Sequence, residues 1–424
     1  MDLEDTYTSK LALFQKPFIE SSVDDIQYIE FLPTSTISDG SVIEFRIPGT
    51  SAEYIDLKRC RLKLKLRIVD NIGNPITSED EVGLVNLSLA SIFRQVDVQL
   101  QEKLVSSETN ICYPYKAMID ILLKYGFDVK EGLLQSELYY KDTGNMDAVP
   151  PGNNSGLGKR TAYTAGGNEV TLEGPIHADL FQQDRLILNG VKIVLKFHPS
   201  SNKFALMTGD SDDYKVSITS AILKVCHVKV SNAVMVAQNE ALDLSPALYP
   251  YWKSNFKTIS VPAGVTSVTS DDIFHGEVPS KLIKGMVRTQ AFSGDYKLNP
   301  FNFLHNNVNW IELSVDGQSV PGQPLKPNFE IGDYTSSFLS MFFNHYPHQD
   351  GGNWISREEY PNGYSLFCFD IRGEATHDIF GKKKAGYTKL VMNFSQPTPN
   401  LMLILYSTFP SLIKIDKARN VILE

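Results

Sequence analysis

The sequence predicts an all-β protein, formed by two β-sandwich domains in tandem with a few short helices in loops. Two stretches of the chain, roughly two hundred residues apart, carry the same features in the same order. Short segments with a period of two, bounded by turn residues, dominate the sequence, as expected for strands that are buried on one face. Helical patterns are few and do not alternate regularly with strands, which favours sandwiches over a parallel sheet covered by helices.

Each of the two stretches contains a strand with a tight turn, then a helical pattern, a second strand and a long apolar strand. In the first stretch these features cover 96–100 with its return strand 101–105, 113–125, 190–197 and 216–230. In the second they cover 311–315 with 316–320, 334–345, 386–394 and the segment from 401 onward. Four features in matching order predict that one β-domain is used twice.

The length of the chain fits two domains better than one. A chain of 424 residues is long for a single hydrophobic core, whereas two domains of about 200 residues match the usual domain size. Apolar residues make up 42% of the chain, and the aromatic fraction of 11% favours strands. We expect an N-terminal arm at 1–25, a first sandwich at 26–232, a linker at 233–248 and a second sandwich at 249–424.

Charge and cysteine content narrow the class of protein. The net charge of −9 argues against a dedicated nucleic-acid binder, which is normally basic. The four cysteines (Cys60, Cys112, Cys226 and Cys368) are far apart in apolar segments, so we expect buried, reduced thiols. The first twenty residues do not resemble a signal peptide, and no apolar run approaches the ~18 residues of a membrane span. We therefore expect a protein that is made inside the cell, is not secreted and does not span a membrane.

One strand pattern places a row of positive charge on a single face. Apolar side chains at 60, 62, 64, 66 and 68 alternate with the basic residues Arg59, Arg61, Lys63, Lys65 and Arg67. We expect these five basic residues, called the basic row below, to point away from the core, because a one-residue slip would bury five charges. Three roles remain open for the basic row: a nucleic-acid face, a contact with acidic residues of a neighbouring subunit, and a solvated face paired with carboxylates on adjacent strands.

No motif predicts catalysis or a metal site. The chain contains no nucleophile elbow, phosphate-binding loop, zinc-protease motif or dinucleotide fingerprint. His345, His348 and Asp350 are close in sequence, but a third ligand of defined geometry is missing. Asp210, Asp212 and Asp213 lack the glycine and distal glutamate of a calcium loop. We expect no catalytic residue, metal or cofactor, and we expect the Pro-, Gly- and Asn-rich segment 146–167 to be a long exposed loop.

Nine segments, in order, carry a resemblance to a known family. They are 93–100 (FRQVDVQL), 113–117 (YPYKA), 138–143 (LYYKDT), 176–190 (IHADLFQQDRLILNG), 296–303 (YKLNPFNF), 315–318 (VDGQ), 355–360 (ISREEY), 362–367 (NGYSLF) and 415–421 (IDKARNV). Together they resemble the major capsid protein of Polinton/Maverick elements and the related adintoviruses. The resemblance implies a double jelly-roll fold, homotrimeric capsomers of pseudo-hexagonal outline and an icosahedral shell around double-stranded DNA.

The resemblance also sets expectations for partners and site residues. It implies contacts with copies of the same chain, with neighbouring trimers and with a penton or minor capsid protein, in the virion capsid. From the net charge of −9 we expect no direct nucleic-acid contact. Besides the basic row, the aromatic residues Phe301, Phe303, Trp354 and Tyr360 are candidates for the subunit interface. Two other functions remain open, a tandem jelly-roll carbohydrate-binding module and a cupin-type metalloenzyme. The scattered histidines count against the cupin.

Overall fold

A computed structural model of the chain describes residues 21–49, 52–106, 112–149, 152–210, 213–343, 352–371 and 383–424. The strands of the first half are β1 (Val23–Phe31), β2 (Ile43–Ile47), β3 (Tyr54–Asp70), β4 (Val82–Leu84), β5 (Phe93–Leu100), β6 (Lys103–Leu104), β7 (Val170–Pro175), β8 (Ile193–Pro199), β9 (Leu206–Thr208) and β10 (Tyr214–Val230). The strands of the second half are β11 (Ala247–Val261), β12 (Ser267–Ser270), β13 (Glu277–Val278), β14 (Lys281–Arg288), β15 (Val308–Val315), β16 (Gln318–Leu325), β17 (Phe367–Asp370), β18 (Lys384–Ala385), β19 (Thr388–Phe394), β20 (Leu401–Ile415) and β21 (Val421–Leu423).

The helices lie in the connections between these strands. They are α1 (Ser88–Ser91), α2 (Tyr113–Lys124), α3 (Phe127–Glu131), α4 (Ser155–Thr164), α5 (Asn202–Ala205), α6 (Asn232–Leu244), α7 (Thr289–Ser293) and α8 (Thr335–Phe343), with short 3-10 turns at Leu133–Glu137, Ala165–Gly167 and Asp179–Gln182. Helix α6 connects the last strand of the first half to the first strand of the second.

The two halves have the same strand order. In the first half one sheet runs β1-β10-β3-β7 and the other β2-β8-β5-β6; in the second half they run β11-β20-β14-β17 and β12-β19-β15-β16. Each half contributes eight strands to these sheets. When the eight are numbered in chain order, one sheet has the order 1-8-3-6 and the other 2-7-4-5, in both halves. This is the topology of a jelly roll, an eight-stranded sandwich of two sheets. The expected double jelly roll is confirmed.

The repeat seen in the sequence corresponds to equivalent strands. Segments 96–100 and 311–315 lie in β5 and β15, which occupy the same place in their sheets, and the helices α2 and α8 both precede the sixth sheet strand of their roll. The long strands β10 and β20 are the eighth strand in each roll. The duplicated fold that we predicted is therefore present in the order that we predicted.

The register of β3 fixes which side chains form the first core. Strand β3 pairs with β10 along most of its length, with Leu62 opposite Leu223 and Leu64 opposite Ala221. These four side chains are buried, and they belong to a cluster that fills the space between the two sheets of the first roll. A second cluster fills the other roll. A third lies between the rolls and draws on both halves.

Helix α2 occupies the centre of the cluster between the rolls. Tyr115 is fully buried, and its ring lies 5.6 Å from that of Phe301 and 5.9 Å from that of Phe204. The predicted helix at 113–125 is confirmed. Helix α2 is buried on nearly all sides because it lies between the two sandwiches. The periodicity of its sequence does not reveal this position.

The expectation of an exposed loop at 146–167 is wrong for its second half. Helix α4 begins after Asn154, whose side chain accepts a hydrogen bond from the Leu157 N–H at 3.2 Å and caps the helix. Leu157 and Arg160 are both fully buried. Gly156 and Gly158 lie inside this helix, and Gly166 and Gly167 follow it in a 3-10 turn, so the glycine content of the segment does not mark one continuous exposed loop.

Candidate functional site

The described residues offer surfaces and buried networks as candidate sites of function. Among the described residues no group of three or more His, Cys, Asp and Glu side chains is placed to hold a metal. None of the helices in the described part is long and apolar enough to cross a bilayer. Residues His345, His348, Asp350 and Asp212, which we considered as metal ligands, lie outside the described residues.

The acidic residue Asp210 has a structural role within the chain. Its carboxylate accepts hydrogen bonds from the Tyr214 hydroxyl at 2.9 Å and from the Glu81 N–H at 3.3 Å. The same tyrosine hydroxyl also donates to Asp80 at 2.9 Å. Burial and these two carboxylates raise the pKa of Tyr214. Asp210 therefore anchors the start of β10 to the loop before β4.

The four cysteines are buried and chemically protected. All four are free thiols in buried positions, as the sequence predicted. Burial raises the pKa of Cys60 and of Cys112 to about 12, so neither forms a thiolate at neutral pH.

The basic row points away from the core of the first roll, as predicted. Arg59, Arg61 and Lys65 are exposed, and Lys63 and Arg67 are half-buried, while the alternating side chains from Cys60 to Ile68 are at most 3% exposed. The strict alternation of β3 is sufficient to produce this arrangement.

The basic row is only partly neutralised by its own chain. Lys65 lies 3.9 Å from the Glu169 carboxylate. Glu173, opposite Lys63 in the register of β3 and β7, is bound by Lys224 of β10 at 2.9 Å. Within the described part of the chain, Lys65 is the one member of the row with an ion pair, so carboxylates are nearby, as expected, but the face keeps surplus positive charge.

An aromatic side chain on the edge strand orders part of this face. The guanidinium groups of Arg59 and Arg61 lie 5.8 and 6.0 Å from the ring centroid of Tyr28, within the range of cation–π contacts. Tyr28 is 44% exposed. The two arginines are thereby held in place above β1, and their charge remains accessible to solvent.

Three of the four aromatic residues that we expected at a subunit interface are buried inside the chain. Phe301, Phe303 and Tyr360 are 3%, 0% and 0% exposed and belong to the cluster between the rolls. They offer no surface to a neighbouring subunit. Their loop-like sequence context was misleading, because Phe301 and Phe303 pack against Tyr115 of α2. Tyr360 packs against Phe338 of α8 and Phe367 of β17.

Trp354 is the exception, since it is half-buried and lines an open groove. The Lys141 ammonium lies 4.3 Å from the Trp354 ring centroid and donates to the Trp354 carbonyl at 2.6 Å. Lys141 also forms an ion pair of 2.8 Å with Glu359, and the Phe127 ring packs edge-on at 5.0 Å. The groove has a volume of about 570 Å³. Trp354 is thus held rigidly at a surface that another molecule can reach.

A buried ionic network that the sequence analysis missed joins the two rolls. Asp120 of α2 is 1% exposed and forms ion pairs with Lys116 at 3.0 Å and Lys124 at 2.9 Å. Tyr406 of β20 donates to its carboxylate at 3.0 Å. Burial would raise the pKa of Asp120, but the two lysines hold it well below its usual value. The sequence pattern that could have predicted this network is Lys116, Asp120 and Lys124, which are spaced four residues apart in an otherwise apolar helix.

A second buried network fixes α4 to both rolls. Arg160 is fully buried; it pairs with Asp142 at 2.8 Å and donates to the carbonyl groups of Leu84 and Tyr140, each at 2.9 Å. From the second half, Asn299 donates to the Asp142 carboxylate at 3.1 Å. Together the two networks fix how the rolls sit against each other.

The comparisons with known proteins agree with this architecture. No protein-family model matches the sequence. An uncharacterised protein of Caenorhabditis elegans is 23% identical over 397 residues, which cover 90% of this chain and 93% of the relative.

Solved structures of viral proteins match over nearly the whole chain. A chain of the Sputnik virophage, solved by cryo-EM, gives a TM-score of 0.62 at 13% identity. The match covers 100% of this chain and 93% of the Sputnik chain. The faustovirus major capsid protein gives 0.57 at 8% identity, covering 95% of this chain and 92% of the other. The mavirus major capsid protein gives a TM-score of 0.53 at 13% identity, and the match covers 99% of this chain and 94% of the mavirus chain. The chain therefore has the double jelly-roll fold of viral major capsid proteins.

Proposed function

We propose that this chain is the major capsid subunit of an icosahedral double-stranded DNA virus or virus-like transposon particle, with a structural and non-enzymatic role. The observation that carries the proposal is the presence in one chain of two rolls with identical strand order. The near-complete coverage of solved capsid chains supports it. On this view the protein acts through its outer surfaces in the virion capsid.

The symmetry of the chain explains why a trimer is the expected capsomer. Three copies of a two-roll chain place six similar rolls around a threefold axis, an outline close to a hexagon. Such an outline can tile a lattice through repeated contacts between neighbouring trimers. The buried networks around Asp120 and Arg160 support this role, because they hold the two rolls in one fixed relation.

We further propose that the particle belongs to the Polinton/Maverick and adintovirus group. The nine ordered segments support this lineage. The similarity to a nematode protein over 93% of its length is what a virus-like element carried in animal genomes would produce. A penton or minor capsid protein would then complete the shell.

The basic row and Trp354 are the proposed contact residues. The basic row keeps positive charge that the described residues do not neutralise, and an acidic surface of a neighbouring subunit would complement it. The net charge of −9 supports a protein partner over nucleic acid. We therefore propose no direct contact between this chain and the genome.

Mass in solution combined with negative-stain imaging tests the proposal. We expect a particle of three times the 47.4 kDa chain mass with a hexagonal outline, and an interface in the obligate class, over ~2,000 Å². A monodisperse monomer at micromolar concentration would contradict the capsid function. Saturable glycan binding by such a monomer would favour the carbohydrate-binding module instead.

A further inference from the structure

Helix α6, the connection between the rolls, carries apolar side chains that the described residues leave uncovered. Val236 is 55% exposed and Leu244 is 90% exposed, and Ala233, Ala237 and Ala241 are exposed as well. At 3.6 residues per turn these five positions fall on one side of the helix. We call them the α6 ridge.

The opposite side of α6 is fixed to the protein, so the ridge cannot turn inward. Leu242 is buried, and Val234 and Met235 pack against the core of the first roll. Gln238 accepts a hydrogen bond of 2.6 Å from the Tyr54 hydroxyl, and Asp243 pairs with Lys417. The α6 ridge is therefore a permanent surface feature.

The N-terminal residues enter the fold at the start of this helix. Residues 1–20 lie outside the described structure, and the first strand begins directly afterwards, with Val23 opposite Val230. The Ser22 carbonyl accepts a hydrogen bond of 2.9 Å from the N–H of Ser231, the residue immediately before α6. The chain therefore enters the described fold beside the N-terminal end of the ridge.

These twenty residues contain a segment that complements the ridge. Residues 11–14 read Leu-Ala-Leu-Phe and are flanked by Lys10 and Lys16. The ridge is apolar and carries the exposed Glu240, and α6 contains no basic residue. The eight Cα–Cα steps from position 14 to Ser22 can span up to ~26 Å, and α6 is about 20 Å long. The segment can reach the whole ridge.

We propose that residues 11–14 of this chain dock on the α6 ridge of the same chain, with a flanking lysine beside Glu240. The contact covers apolar surface that would otherwise face solvent or other copies of the protein. It does not depend on the capsid function, because every element involved belongs to one chain.

Disulfide trapping in the full-length protein tests the contact. Leu13→Cys combined with Val236→Cys should form a disulfide within one chain under mild oxidation, identified by peptide mapping. The four native cysteines are buried and should not compete. The matched control is Leu13→Cys with Ile72→Cys. Ile72 is 81% exposed and follows the far end of β3, about 56 Å from the Tyr54 end, so no disulfide should form.

Hydrogen exchange provides a measurement that is independent of the cysteines. Leu13→Asp with Phe14→Asp should raise the exchange rates of the α6 amides about tenfold, since local protection depends on buried contacts. Exchange in β3 should not change. A disulfide between two chains would overturn the proposal in favour of an exchanged arm. The absence of a disulfide together with unchanged exchange in α6 would overturn it altogether.

Discussion

The hydroxyl of Tyr406, in the last long strand of the second roll, donates a hydrogen bond of 3.0 Å to the carboxylate of Asp120 in helix α2. The two residues are 286 positions apart in the sequence, and both are buried. Because Asp120 also binds Lys116 and Lys124, this contact ties one roll to an ionic cluster that belongs to the other.

The Asp120→Asn substitution should destabilise the protein strongly. Breaking a buried ion pair typically costs ~3–5 kcal/mol, and because Lys116 keeps Asp179 at 3.3 Å as a second counter-charge, we expect a loss near the lower end of this range. Chemical denaturation at a fixed subunit concentration would measure the loss. Tyr406→Phe is the matched control, because it removes the hydrogen bonds of the hydroxyl with Asp120 and Ser254 but no charge, and it should lower the free energy of unfolding by only ~0.5–1.5 kcal/mol per hydrogen bond. Equal losses for the two variants would contradict this account.

The same carboxylate should make the protein sensitive to acid. The two lysines hold the pKa of Asp120 well below its usual value, so ionised Asp120 stabilises the folded state above the unfolded pKa of ~3.9. This stabilisation is lost as the pH falls below that value. The free energy of unfolding should therefore fall more steeply between about pH 5 and pH 3 in the wild type than in Asp120→Asn. Parallel pH curves would exclude this role.

Arg160→Met should cost ~3–5 kcal/mol of stability, because Asp142 would remain buried without its ion pair. The Leu84 carbonyl would also lose its arginine donor, and the Tyr140 carbonyl would keep only its hydrogen bond from Asn86. Thermal unfolding followed by near-UV circular dichroism would report the loss. Lys159→Met on the same helix is the control: its side chain is exposed, and the change should stay within about 0.5 kcal/mol. Similar effects for the two variants would show that Arg160 is not a structural anchor.

Lys284→Met should stabilise the protein. Lys284 is fully buried in β14, its ammonium has no hydrogen-bond partner among the described residues, and it lies 4.3 Å from the Phe367 ring centroid. An unsatisfied buried polar group costs about 1–3 kcal/mol, and methionine fills a similar space. Lys253→Met, at an exposed position, is the control and should have little effect in chemical denaturation.

The effect of Lys284 should also depend on pH. Burial holds the pKa of Lys284 well below its usual value, so the unfolded chain binds the extra proton more readily than the folded one. The destabilisation is therefore largest at low pH and fades as the pH rises toward the unfolded pKa of ~10.4. The advantage of Lys284→Met should shrink between neutral pH and about pH 10. A constant difference would mean that the folded lysine keeps its charge.

Reversing charge in the basic row, with Lys63→Glu and Lys65→Glu, should weaken assembly and leave any DNA affinity of the purified subunit unchanged. The reason is that an acidic neighbour would then be repelled. Light scattering and filter binding would measure the two effects. The control, Lys103→Glu with Lys297→Glu, makes the same charge change at two exposed positions outside β3. Steeply salt-dependent binding to duplex DNA that the reversal abolishes would instead support a nucleic-acid face.

The sequence by itself determined the repeated strands and the order in which they recur in the two halves. The alternation from Cys60 to Ile68 decides which side of β3 is buried, because only one register keeps the basic row in water. The repeated series of strand, turn and helix predicted two equivalent sandwiches, since hydrophobic period and turn residues are local properties. The burial of the four cysteines followed from their apolar context in the same way.

Only the tertiary structure decided which loops are covered and which charges are paired. Phe301, Phe303 and Tyr360 look like surface aromatics in sequence, and all three are buried in the cluster between the rolls. Phe301 and Phe303 pack against Tyr115 of α2, and Tyr360 packs against Phe338 of α8. Asp120 finds Tyr406, and Asp142 finds Asn299, only when the two rolls meet. No local pattern encodes such pairs, because the free energy of burying a charge depends on partners that are brought close by the folding of distant segments.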